Sequence, residues 1–227
     1  MTMSLRPDRQ ACLRGLYAVT PEESRTDRLL ALVAAALDGG ARLVQYRAKT
    51  LGPEARAEQA RALLGLCRPR AVPLIVNDDL PLALAVNADG VHLGRDDGDP
   101  KAARQLMPRG ILGVSCYDQP DRAIAAAAAG ADYVGIGSLF PSATKPGAVR
   151  APLRLIAQAR DAGGLPVAGI GGITADNATL AVHAGADMIA VVGALFQAPD
   201  VAQAAKALSL PFTTSHPTHV RTQPATL

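Results

Sequence analysis

The chain has 227 residues, an apolar fraction of 49%, an aromatic fraction of 3% with no Trp, and a formal charge of +3. That length suits one large domain or two small ones, and the apolar fraction supports a sizeable core made of Ala, Leu, Val and Ile. So few aromatic rings argue against a stacking platform for single-stranded nucleic acid, and the near-balanced charge leaves no basic stripe for DNA.

Cys12, Cys67 and Cys116 are odd in number and far apart, with no C-x-x-C pair. That pattern fits free thiols in a reducing, cytoplasmic setting rather than disulfides or a zinc site. Residues 1–14 carry no apolar h-region, so no signal peptide is expected. The Ala-rich runs are broken by charges or Gly before they could span a membrane.

Strand-like and helix-like runs then alternate. Residues 15–20 (GLYAVT) read as a short apolar strand, and 28–37 as a helix stopped by Gly39-Gly40. A second strand at 43–47 precedes a helix at 53–67 that opens with Pro53. The third strand, 74–78, is an apolar run ending in Asn77, Asp78 and Asp79, and the helix after it has Pro81 in its first turn. Strands at 90–93, 111–116, 133–137, 166–171 and 188–192 follow. They alternate with helices at 100–107, 120–129, 152–162 and 175–184, and a last helix covers 201–208.

Eight strand–helix units at a repeat of roughly 20 to 30 residues predict parallel strands, right-handed crossovers and an α/β fold of the (β/α)8 TIM-barrel type, a single domain over residues 15–208. An open dinucleotide-binding sheet would need G-x-G-x-x-G after its first strand, and Thr20-Pro21-Glu22-Glu23 stands there instead. Residues 1–14 read as an N-terminal extension and 209–227 as a tail. The stretch from Pro211 onward lacks periodicity and is expected to be disordered, and its His216 and His219 are too few for a metal site.

Chemistry-bearing residues gather at the carboxyl ends of these strands, where barrels bind ligands. Gln45, Arg47 and Lys49 share one face of the second strand, and a fork and a point charge on an inward face suit a phosphate or diphosphate. Asn77 and Asp78 close the third strand, and Gly94-Arg95-Asp96-Asp97 follows the fourth. Carboxylates from adjacent loops are how Mg²⁺ is usually held. Asp79 stands where a helix N-cap is wanted, Asp97 could equally cap the next helix or sit in a turn with Gly98, and His92 reads as a packed or structurally hydrogen-bonded residue. The long loop after the sixth strand carries Ser142, Thr144 and Lys145, suited to a diphosphate. Gly169, Gly171 and Gly172 close the seventh strand and Val192-Gly193 the eighth, where backbone amides commonly receive a phosphate. Two anion sites suggest two phosphorylated substrates. No Ser/His/Asp or Cys/His arrangement is visible, and Cys116 reads as a packed thiol.

QYRAK, VNDD, VHLGRDD, GVS, FPSATKPG and VAGIGGI, in this order, resemble the thiamine-phosphate synthase family of barrel enzymes from residue 15 to 208. The resemblance implies Mg²⁺-dependent joining of a hydroxymethylpyrimidine diphosphate to a thiazole phosphate. By position it implies that Gln45, Arg47, Lys49, Asn77, Ser142, Thr144 and Lys145 bind the pyrimidine diphosphate. Asp78 and Asp97 would then hold Mg²⁺, and Ser115 would lie beside the pyrimidine and diphosphate. Gly172, Val192 and Gly193 would receive the thiazole phosphate. Arg47, Lys49, Ser115 and Lys145 are the residues expected to act in catalysis. Ser142 stands where the family usually has Thr, and Gly193 where Ser is common. The related thiazole tautomerase is the close alternative, and it would not need Gln45, Arg47, Lys49, Asp78 and Asp97 together. A non-catalytic thiazole-phosphate-binding protein is the other. Partners are expected to be small phosphorylated substrates, not nucleic acid or membrane, and self-association is left open.

Overall fold

Eight parallel strands close into a barrel in chain order: β1 (Gly15–Val19), β2 (Ala41–Tyr46), β3 (Leu74–Asn77), β4 (Gly90–Leu93), β5 (Ile111–Tyr117), β6 (Tyr133–Ile136), β7 (Val167–Ile170) and β8 (Met188–Val191). The computed structural model describes residues 12–141 and 149–214. Around the barrel lie α1 (Thr26–Asp38), α2 (Pro53–Cys67), α3 (Leu80–Ala85), α4 (Pro100–Leu106), α5 (Arg122–Ala128), α6 (Arg154–Gly163) and α7 (Ala178–His183). The short α8 (Gly193–Phe196) and the longer α9 (Val201–Thr214) complete it. The (β/α)8 expectation is met. β8 pairs with β1, so no sheet edge is left open.

Strand alternation separates two apolar layers. Outward side chains such as Leu16, Val44, Leu74, Val91 and Val134 pack against the helices. Inward ones, including Tyr17, Leu43, Ile75, Tyr133 and Met188, fill the barrel. Cys12 and Leu13, which the sequence assigns to the extension, belong to this inner cluster and are 5% and 4% exposed. The three cysteines are free and buried.

A device at the amino-terminal end of the barrel recurs three times. Asp89, Asp132 and Asp187 each precede an even-numbered strand, and each carboxylate accepts from an N–H at the start of the preceding strand: Leu74 N at 3.0 Å, Leu112 N at 2.8 Å and Val167 N at 2.8 Å. An arginine from a neighbouring segment completes each: Arg68 on Asp89 (3.3 Å), Arg104 on Asp132 (2.5 Å) and Arg160 on Asp187. These carboxylates satisfy strand-end donors that would otherwise be buried without partners.

The last helix departs from expectation. α9 runs through Pro211 to Thr214, six residues past the expected end at Leu208. Pro211 supplies no N–H, which costs a helical bond. Ala205, Leu208 and Pro211 nevertheless recur at helical spacing on its buried side. Gly39 lets this helix approach α1, because a Cβ there would overlap Ala202 O and Ala205 Cβ. Packing therefore outweighs the helix-breaking propensity. The expected tail beyond 214, with His216 and His219, lies outside the described residues. Among the described residues no helix is long and apolar enough to cross a membrane.

Candidate active site

Within the barrel, polar side chains from five strands meet. Gln45 on β2 is only 6% exposed, and its Nε2 donates to the Tyr17 hydroxyl at 2.7 Å. The Tyr17 and Tyr133 hydroxyls lie 2.7 Å apart. The Tyr133 hydroxyl is 2.9 Å from His92 Nδ1, and His92 Nε2 is 2.8 Å from Ser115 Oγ. Burial raises the pKa of both tyrosines, Tyr17 and Tyr133, and lowers that of His92 to about 4. His92 is thus neutral at physiological pH and hydrogen-bonded on both nitrogens, as the sequence reading has it. Gly113 makes room, because a Cβ there would overlap the Tyr133 ring and His92 Nδ1.

At the carboxyl-terminal edge, the three polar residues closing β3 take separate roles. Asp79 caps α3, its carboxylate accepting from Leu82 N at 2.9 Å and from Arg56 Nη1 at 2.8 Å. That carboxylate is therefore spent on the scaffold. Asp78 instead sits in the left-handed region at φ +63°, its N–H donating to His92 O at 2.8 Å. A non-glycine residue held there is a mark of strained functional sites. Lys49 Nζ reaches Asp78 Oδ2 at 3.3 Å.

Asp97 Oδ2 accepts from Gly94 N at 2.8 Å, and its carboxyl lies within hydrogen-bonding reach of Asp78. The cap of α4 is Asp99, which accepts from Lys101 N and Ala102 N, so Asp97 is left for the site. Burial and then the neighbouring Asp78 raise the Asp97 pKa, with Lys49 opposing. Among the described residues no group of three or more His, Cys, Asp or Glu side chains converges. The Asp78–Asp97 pair is a two-carboxylate site whose like-charge contact is compensated in part by Lys49. It could hold a hard divalent cation whose remaining ligands come from substrate oxygens and water.

Arg47 stands beyond β2 with Nη1 3.8 Å from Glu22 Oε2. Glu22 accepts from Lys49 N and Thr50 N at 2.8 Å each, and Thr20 Oγ1 accepts from Arg47 N at 2.9 Å. The loop after β1 therefore fastens the segment that carries both cations. Burial works to raise the Glu22 pKa, but the bonds from Thr50 and Lys49 and the charge of Arg47 outweigh it and hold the carboxyl below its ordinary value. Asn77 ends β3 in register with His92. Cys116 is a packed thiol, its pKa pushed up by burial to about 11.

The second anion corner is built from backbone. Gly172 has φ +63°, and a Cβ there would overlap the Phe140 and Pro141 carbonyls. Asn177 Nδ2 donates to Gly172 O at 3.0 Å, tying this turn to α7. Val192 and Gly193 open α8, whose first-turn amides have no acceptor within the helix. The structure thus brings Gln45, Arg47, Lys49, Asn77, Asp78, Asp97 and Ser115 to one mouth, with Gly172, Val192 and Gly193 on the β7–β8 side. Ser142, Thr144 and Lys145 lie outside the described residues.

Sequence reasoning missed Tyr17, Tyr133, Thr20 and Glu22. For the tyrosines a signal was available, since both fall on inward positions of their strands. Glu22 and Thr20 had none, because a local pattern does not show which loop a carboxylate or hydroxyl will fasten.

Charged and polar groups at the carboxyl edge of a closed parallel barrel define a barrel enzyme that handles anionic ligands. Residues 16–195 match the family model for thiamine monophosphate synthase. A thiamine-phosphate synthase of Azoarcus sp. is 54% identical over 201 residues, covering 88% of this chain and 98% of its own. One from Chromobacterium violaceum is 56% identical over 198 residues, covering 87% and 95%. The solved structure of a Pyrococcus furiosus thiamine phosphate pyrophosphorylase superposes with a TM-score of 0.80 at 34% identity, covering 90% of this chain and 98% of that one. The chain belongs to the thiamine-phosphate synthase family, and it is an enzyme of that type acting in thiamine biosynthesis.

Proposed function

We propose that the enzyme condenses 4-amino-2-methyl-5-(diphosphooxymethyl)pyrimidine with 4-methyl-5-(2-phosphoethyl)thiazole, plain or carboxylated, giving thiamine phosphate and diphosphate. The observation that carries this reading is the facing pair Asp78 and Asp97 beside Lys49. Gln45, Asn77 and Ser115 bind the pyrimidine end. Arg47 and Lys49, with Ser142, Thr144 and Lys145, take the diphosphate. Asp78 and Asp97 hold Mg²⁺, and the backbone of Gly172, Val192 and Gly193 takes the thiazole phosphate. The bound Mg²⁺ supplies neutralisation of diphosphate charge.

The reaction begins with cleavage of the methylene C–O bond, the electron pair leaving on diphosphate. Arg47, Lys49 and Lys145 stabilise that developing charge, and Ser115 donates a hydrogen bond to it. The electron-rich aminopyrimidine stabilises the pyrimidinylmethyl cation left behind. The thiazole nitrogen, positioned by its anchored phosphate, then supplies the electron pair for the new C–N bond. This route requires no protein nucleophile. The buried free thiols support a reducing, cytoplasmic setting.

The test is to mix both phosphorylated substrates with Mg²⁺ and follow diphosphate. Release that requires both supports the proposal. Release without the thiazole makes the protein a diphosphatase, and proton exchange on the thiazole without diphosphate release makes it a tautomerase.

A further inference from the structure

The hydrogen-bond chain inside the barrel has a direction, and its first link sets it. Gln45 Nε2 donates to the Tyr17 hydroxyl and can accept nothing in return. Tyr17 must then donate to its remaining partner, the Tyr133 hydroxyl. Tyr133, having accepted, donates to His92 Nδ1. Neutral His92 carries its single proton on Nε2 and donates it to Ser115 Oγ. The Ser115 proton is left for the mouth. Among the described residues neither Gln45 Oε1 nor Ser115 Oγ takes a further partner.

We propose that Tyr17, Tyr133 and His92 are positioning residues that lock Gln45 as a hydrogen-bond acceptor and Ser115 as a donor, so that the enzyme selects a 4-aminopyrimidine diphosphate over its 4-oxo counterpart. This rests on the proposed function. A lone Gln amide is ambidextrous, because turning it over exchanges N–H for C=O. Here turning it over requires three hydroxyls to rotate and His92 to change tautomer together. An amino group donates to Gln45 Oε1, whereas an oxo group would set acceptor against acceptor. At the other end, an anionic diphosphate draws the Ser115 proton and favours the same direction. Each end of the substrate therefore reinforces the setting at the other, through residues that need not touch it.

The test has two arms. ¹⁵N spectra of the unaltered protein, without substrate, are expected to show His92 protonated on Nε2 and bare on Nδ1, and an Nδ1–H tautomer would mean the chain runs backward and would overturn the proposal. In the second arm, diphosphate release from the amino and oxo pyrimidine diphosphates is compared for the unaltered enzyme, Tyr133→Phe and Tyr17→Phe. Loss of one directed hydrogen bond is expected to cut the amino-over-oxo ratio of kcat/KM about tenfold in each variant. The two variants break different links, so a folding failure in one leaves the other to decide. An unchanged ratio overturns the specificity role. If the unaltered enzyme releases diphosphate from neither compound, the proposed reaction fails instead. The tautomer then decides the chain alone.

Discussion

Lowering the pH is expected to destabilise this protein through His92. Its pKa falls from an ordinary 6.5 to about 4 inside the barrel, because burial disfavours the charged form by more than the nearby Asp97 charge favours it. In the unfolded chain His92 takes up a proton below its ordinary pKa, while the folded protein refuses it down to about 4. The unfolded state binds more protons in that window, so stability is fully present above 6.5 and is lost as pH falls towards 4. At about 1.4 kcal/mol per pH unit, the window is worth about 3 kcal/mol. The assay is urea unfolding across this range, with EDTA present so that no cation contributes, on the unaltered protein and His92→Asn. Asparagine cannot titrate, so the variant should lose about 3 kcal/mol less between the two ends of the range. Carboxylates such as Glu22 contribute to both curves and cancel in the difference. Parallel curves would refute the reasoning, because His92 would then be protonating in the folded state near its ordinary pKa.

Other substitutions probe the rest of the molecule. Asp78→Ala should abolish Mg²⁺-dependent turnover, and Asp78→Gly should do the same while remaining about 1 kcal/mol more stable, because the left-handed backbone suits Gly and strains Ala; thermal unfolding beside an activity assay separates the two effects. Asp89→Ala leaves Leu74 N and Arg68 without their carboxylate and should cost about 2 to 3 kcal/mol, read as a lowered urea midpoint with activity intact below it. Gly113→Ala forces a methyl into Tyr133 and His92, and overpacking of that kind should cost about 1 to 3 kcal/mol and lower turnover as well. Burial pushes the Cys67 and Cys116 thiols up to about 12 and about 11. A thiol reagent at about pH 8 should therefore label them only as fast as the protein opens; rapid labelling of the folded state would contradict their packing.

Most of the architecture is legible in the sequence alone. Runs such as 74–77 and 188–191 are short, apolar and bounded by turn residues, and amphipathic helices intervene at a regular repeat. Those signals are local, so their order follows from the chain alone. The errors fell where long-range packing competes with local propensity. Pro211 looked like the start of a tail, yet the helix continues through it because its buried side packs against the barrel's helical layer. Cys12 and Leu13 looked like an extension, yet they join the barrel interior.

The sequence by itself determined the alternation of elements, the inward faces of the strands and the gathering of Gln45, Arg47, Lys49, Asn77, Asp78 and Asp97 at one edge. A period of two along a strand and the position of each strand end are properties of a few consecutive residues. Only the tertiary structure decided which carboxylates were available. Asp79 and Asp99 are spent on helix caps, and Asp79 also holds Arg56, which leaves Asp78 and Asp97 facing each other. Only the closed barrel could bring Tyr17 to Tyr133, which are 116 residues apart in the chain. Hydrogen-bond direction depends on which partners meet, and closure of the sheet, not any local pattern, makes them meet.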